Sequence, residues 1–252
     1  MLPCTAYSCQ VTSSRTSAAP PAEEARRAQL TRAAVVDRAL ALADAASLDA
    51  LTIRKLATEL GVTPMALYWH FRGKEELLEG LAERVWSEID ITVDPAAAWP
   101  DQLRGLLESL LTVLRAHPAA SELLMHKHML TMGESMQQAT EVALEILRSA
   151  GFDPADASAI AMSALWTGIM LVMSEPGGEM LDDDERAEMQ RKKQVTLATL
   201  PPARFPRLVE CAVPLTNCDD PAWHYEFGVD MFMAGVTALA ASRAAREGRS
   251  PK

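Results

Sequence analysis

The chain has 252 residues, 49% of them apolar, enough to bury the cores of one small unit and one larger one. No stretch reaches the roughly eighteen uninterrupted apolar residues of a membrane span, so no membrane-crossing helix is expected. The formal net charge of −10 hides a local excess of cations: residues 15 to 74 carry nine of the 24 Arg and Lys but only six of the 34 Asp and Glu, so a basic face is confined to the N-terminal third.

Residues 1 to about 22 are rich in Ser, Ala, Pro and Thr and read as a disordered arm, with Arg15, Arg26 and Arg27 as its cations. The opening run lacks both a basic n-region and a compact apolar segment, so it does not read as a signal peptide, and a cytoplasmic protein is expected. A helix is predicted from about 24 to 47, where Val35, Val36, Ala39, Leu40 and Ala43 form one apolar stripe. Thr52 then caps a short helix whose apolar positions are Ile53, Leu56, Ala57 and Leu60, and Gly61 suits the left-handed position that ends it. Thr63 is a second cap, followed by Pro64 at the first helical position, where a missing N–H costs nothing. Two short helices meeting across about three residues are the layout of a helix-turn-helix, whose second helix enters the major groove.

That layout offers Thr63, Pro64, Met65, Ala66 and Trp69 to base edges, with short apolar groups suited to thymine methyls. Arg54 is the side chain best equipped to take a guanine bidentately. Tyr68, His70 and Lys74 are candidate phosphate ligands, since each donates a hydrogen bond and Lys74 opens the next helix, where backbone N–H groups also attract an anion. Leu56, Leu60, Val62 and Leu67 are assigned to the small core behind this surface.

A fourth helix is predicted from Lys74 to about Val93, ended by Pro95 and Pro100. Beyond it the pattern is helical over roughly 100 to 116, 118 to 130, 133 to 150, 154 to 175, 202 to 213 and 221 to 246, with nothing alternating like a strand. Residues 176 to 201 read as a long loop carrying a short helix near 184 to 193. Small residues form a seam in the helix from 154 (Ala157, Ala161, Ala164, Gly168) and another in the last helix (Gly228, Met231, Gly235, Ala238). Such seams let helices approach closely, within one subunit or between two. Eight methionines fall between Met125 and Met180, and Met125 and Met129, with Trp166 and Met170, suit an adaptable pocket for a bulky apolar molecule. No metal site or other cofactor is expected: His126 and His128 diverge on a helix, and His117 stands apart. Cys4, Cys9, Cys211 and Cys218 read as free thiols. No Gly-rich phosphate loop, nucleophile elbow or HExxH appears, so no enzyme is expected.

The run LTIRKLATELGVTPMALYWHFRGKEELLEGL closely resembles the DNA-binding segment of the TetR family of bacterial transcriptional regulators. It carries the LYWHF core and a lysine four residues after its histidine, and HYEFGVDMFMAGVTAL near the C-terminus resembles the final dimerisation helix of the tetracycline-repressor subgroup. The resemblance implies an all-α homodimer: a three-helix helix-turn-helix domain (23–80, after an arm at 1–22) plus a larger helical effector-binding and dimerisation domain (81–247, before a tail at 248–252). It also implies binding to a palindromic double-stranded operator, released by a small molecule, and assigns both small-residue seams to the dimer interface. Repression is favoured because it needs only occupancy of a promoter. The alternatives are a constitutive DNA-binding dimer without effector, and an enzyme. The resemblance does not carry over to the identity of the effector.

Overall fold

The computed structural model describes residues 30–125, 133–175, 183–217 and 220–247, and every regular element among them is a helix. The N-terminal part holds α1 (Arg32–Ala45), α2 (Ile53–Leu60), α3 (Pro64–Tyr68) and α4 (Lys74–Trp86). The body holds α5 (Trp99–Ala116), α6 (Pro118–Met125), α7 (Glu134–Ser149), α8 (Pro154–Met173), α9 (Asp183–Ala198), α10 (Pro206–Glu210) and α11 (Pro221–Glu247). The expected arm at 1–22 and tail at 248–252 lie outside the described residues.

Local chemistry sets most of the N-terminal boundaries. Thr31 caps α1 by accepting from the Ala34 amide at 3.1 Å, and the stripe Val35, Val36, Ala39, Leu40 and Ala43 is buried as the spacing requires. Thr52 caps α2 by accepting from the Lys55 amide, and Gly61 ends it at φ +66°, a conformation that a side chain would strain. Thr63 and Pro64 start α3, which is only five residues long. Leu56, Leu67, Phe71 and Leu77 then close the small core against α1.

The helix expected to reach Val93 stops at Trp86. The Ser87 hydroxyl donates to the Arg84 carbonyl at 2.7 Å, the chain turns so that Ile89 is buried, and the Asp90 amide donates to Ser109 Oγ on α5. A turn that buries Ile89 has the same apolar spacing as a continued helix, so periodicity does not separate them. In the body, α9 is a full 16-residue helix where a loop with a shorter helix was expected, and α10 is shorter than the expected 202 to 213, giving way to turns through Thr216.

The body is organised around α5, which packs on α7, α8 and α11, while α8 also packs on α7 and α11. Close approach of α5 and α8 depends on Gly168, where a Cβ would stand 3.0 Å from Leu110 Cδ2. Helix α4 touches α1 on one side and α6 and α7 on the other, so one buried cluster runs from the N-terminal part into the body. By length and composition α8 is apolar enough to cross a membrane, yet little of its apolar stretch is buried within this subunit.

Candidate functional site

The helix-turn-helix presents an apolar, aromatic edge. Met65 is 67% exposed and Trp69 86% exposed, while Leu67 between them is fully buried and anchors α3 from behind. Thr63 and Pro64 stand exposed at the start of α3, and Ala66 is half-buried. A tryptophan so exposed just past the end of a five-residue helix contributes nothing to the subunit's own core, which marks the edge as a contact surface. Arg54, Tyr68, Arg72 and Lys74 are exposed around it and His70 is half-buried. Lys74 Nζ donates to the Leu48 carbonyl at 3.4 Å, a tether that leaves donors for an anion.

A clamp that the sequence did not reveal holds this edge. Arg32, at the start of α1, donates to the His70 carbonyl and to Glu76, both at 2.8 Å, and its guanidinium lies 4.4 Å from the centre of the Phe71 ring. The Arg72 amide also donates to Glu76, and that bond, followed by Arg32, holds the Glu76 carboxyl below its usual range. No local pattern links Arg32 to residues 38 and 44 positions away.

Inside the body lies a cavity of about 240 Å³ between the end of α4 and helices α5, α7 and α8. Trp86, Leu103, Leu107 and Leu110 supply its large apolar walls, and no charged side chain among the described residues lines it. Its only polar side chain among the described residues, Thr140, donates to the Met136 carbonyl at 2.8 Å, so what it offers to a guest is acceptor capacity. The volume lies just below the usual range of ligand pockets, roughly 300–1,000 Å³, and suits a small guest.

The pocket residues expected from the sequence do not form this cavity. Trp166 and Met170 stand 42% and 50% exposed on the outer side of α8, Met125 is also exposed, and none of the three lines it; Met129 lies outside the described residues. Ala161 and Ala164, expected at a dimer seam, line the cavity instead, and Gly168 is buried against Leu110. On α11, Gly228 faces Leu171 of its own subunit, whereas Met231, Gly235 and Ala238 are exposed. The reason is steric: α8 is apolar on every side, so composition does not orient it, and its small residues turn inward where α5 and α7 crowd it. Ile160, Leu165 and Ile169 turn inward with them, while Trp166, Met170 and Met173 turn out. Trp166, Met170 and Met173 on α8 and Trp223, Phe227, Met231 and Leu239 on α11 consequently remain exposed. A groove of about 490 Å³ separates the two helices, lined by Ser163, Thr167, Met231 and Gly235 among others.

Polar joints connect the two parts. His117, between α5 and α6, bonds Asp44 on α1 through Nδ1 at 2.8 Å and Glu88, just beyond α4, through Nε2 at 3.0 Å. Burial works to lower the imidazole's pKa, but hydrogen bonds and charge from Asp44 and Glu88 outweigh it and hold the value above the usual one. Asp44 also accepts from the Ala119 amide, and Arg84 pairs with both Asp37 and Glu88. Glu83 on α4 accepts from the amide and the hydroxyl of Ser135 on α7.

The family model for bacterial regulatory proteins of the tetR family matches residues 35–81, and that for the tetracyclin repressor-like C-terminal domain matches residues 93–240. Tetracycline repressor protein class C of Escherichia coli is 30% identical over 213 residues, 84% of this chain and 92% of that protein. The class A repressor from transposon 1721 of Escherichia coli is 34% identical over 148 residues, 58% of this chain and 67% of that protein. Among solved structures, the TetR family protein ActR of Streptomyces coelicolor in complex with actinorhodin superposes with a TM-score of 0.71 at 27% identity, covering 84% of this chain and 97% of that one. The reading edge and the body fall in separate matched segments and α4 runs from the first toward the second, so the chain belongs to the TetR family of ligand-responsive, DNA-binding transcriptional regulators.

Proposed function

We propose that this protein is a homodimeric, cytoplasmic repressor that occupies a palindromic operator and leaves it when a neutral, largely apolar small molecule enters the cavity of the body. The observation that carries this reading is the shared helix: α4 follows the DNA-reading edge, holds the Arg72 amide through Glu76, packs on α1 and also supplies Trp86 to the cavity wall. A guest that moves Trp86 therefore acts on the element that positions the reader. The exposed Met65 and Trp69, with Thr63, Pro64 and Ala66, are assigned to base edges, Arg54 to a guanine, and Tyr68, His70 and Lys74 to phosphates. This reading keeps the division expected from the sequence, a reader over 23–80 and a body over 81–247.

Relatives named as tetracycline repressors and the actinorhodin complex of ActR support control by a small molecule. The cavity's chemistry supports the class of guest, because a charged group there would lose hydration without gaining a partner. The uncovered apolar faces of α8 and α11 support pairing with a second copy, which removes that surface from water.

The test selects binding sites from random duplex DNA and titrates the bound complex with 1-aminoanthracene, a neutral, flat, apolar fluorophore. The expected outcome is a two-fold symmetric site with half-sites about one helical turn, roughly 34 Å, or a multiple of it apart, and release of DNA as the fluorophore binds. An asymmetric site overturns the dimeric reading. Tight fluorophore binding that leaves DNA affinity unchanged overturns the inducing role of the cavity.

A further inference from the structure

Helix α7 has an unusual start. Its N-cap is Gly133, which has no side chain to satisfy the amides of the first turn. A carboxylate from another helix takes that role: Glu83 Oε1 on α4 accepts from the Ser135 amide at 3.0 Å and from the Ser135 hydroxyl at 2.7 Å, across a separation of 52 residues. Its other oxygen, Oε2, is buried, has no hydrogen-bond partner among the described residues, and lies against Gly133 so closely that a Cβ there would overlap it. The joint therefore has little slack. A carboxylate at a helix N-terminus is held both by charge-assisted hydrogen bonds and by the helix dipole.

The position of this joint matters more than its strength. Met136, the residue after Ser135, lines the apolar cavity, as do Ala139, Thr140 and Ala143 further along α7. On α4, Trp86 lies three residues beyond Glu83 and lines the same cavity. The cavity thus lies between two helices that Glu83 ties together at one end. A guest that spreads them loads the Glu83–Ser135 contact, and a displacement of α4 imposed by DNA reaches α7 through the same contact.

We propose that the Glu83 cap on Ser135 is the joint through which DNA occupancy and cavity occupancy influence each other, with Glu83 as a positioning residue rather than a ligand of either. The inference rests on the effector-controlled regulator proposed above and adds the residue that transmits the effect. Linkage requires that if a guest in the cavity changes DNA affinity, DNA changes the cavity's affinity for that guest by the same factor, and a joint that carries this coupling responds to DNA alone, so it is testable without the natural effector.

The experiment uses the full-length chain and a duplex selected by the wild-type protein. Hydrogen exchange of the amides at the start of α7 is followed with and without that duplex. In the wild type, DNA is expected to slow exchange of the Ser135 amide at least about fivefold, the lower end of allosteric couplings. In Glu83→Ala the protein still binds the duplex, but the DNA-dependent difference falls below about twofold; Glu83→Gln, which keeps an oxygen acceptor of the same shape, restores most of it. Ser135→Ala, which keeps the amide and loses the hydroxyl, serves as the milder variant and gives an intermediate difference. A purely structural cap would raise exchange equally with and without DNA and leave the ratio unchanged. A wild-type ratio near one, or a full ratio in Glu83→Ala, overturns the proposal. If the ratio depends on Glu83 but 1-aminoanthracene never weakens DNA binding, the joint stands and the effector reading fails.

Discussion

Replacing Gly235 by Leu separates assembly from folding, because the two respond in opposite directions. Gly235 lies on the exposed face of α11, and a Cβ built there meets nothing within 4 Å. Within one subunit the new side chain enters open space, and exchanging Gly for a good helix former in a helix interior removes a penalty of about 0.5–1 kcal/mol. The isolated subunit should become slightly more stable. In the proposed dimer the same position lines the α8–α11 groove against a second copy, and overpacking costs roughly 1–3 kcal/mol per site. A two-fold interface repeats the position, so dimerisation should weaken by about 2–6 kcal/mol, roughly thirtyfold to twenty-thousandfold in Kd. Light scattering over a dilution series reports the dimer, and urea unfolding of the monomeric species reports the subunit. An unchanged dimer places the interface elsewhere. A subunit that loses more than about 1 kcal/mol shows that Gly235 packs inside its own chain, and the reasoning fails.

Lys74→Ala should weaken binding to specific and nonspecific DNA alike and reduce the slope of log K against log salt by about 0.9, as loss of one phosphate contact requires; an unchanged slope rejects the phosphate assignment. Trp166→Ala should leave 1-aminoanthracene affinity within about twofold, because Trp166 lies outside the cavity, and should instead weaken the dimer; a large loss of fluorophore affinity would return Trp166 to the pocket. His117→Gln tests the joint to Asp44 and Glu88, the latter also paired with Arg84. Because the folded-state pKa of His117 is raised, its contribution is fully present below the unfolded value near 6.5 and is lost as pH rises through the folded value. The Tm advantage of wild type over His117→Gln should therefore shrink from pH 6 to pH 9, and an advantage constant across that range rejects a charged latch.

Local sequence determined the reader almost completely. Thr52, Gly61, Thr63 and Pro64 each act on backbone groups within four residues, so their effect is legible without knowing what packs nearby, and the stripe from Val35 to Ala43 follows from helical spacing alone. The aromatic edge at Tyr68 and Trp69 was legible too, because large residues next to a buried Leu67 on a five-residue helix must face outward. The body was legible as helices but not as faces. A helix such as α8, apolar all round, satisfies the same pattern whether Trp166 or Ala161 points inward, and only the crowding of α5 and α7 against it decided that Ala161 and Ala164 line the cavity and Trp166 and Met170 stand outside. The end of α4 at Trp86 was likewise set by a remote partner, Ser109, and the joints at Arg32, Glu83 and His117 span from 29 to 73 positions of sequence. Hydrogen bonds of that kind depend on which helices become neighbours, and that is a property of the packed chain rather than of any segment within it.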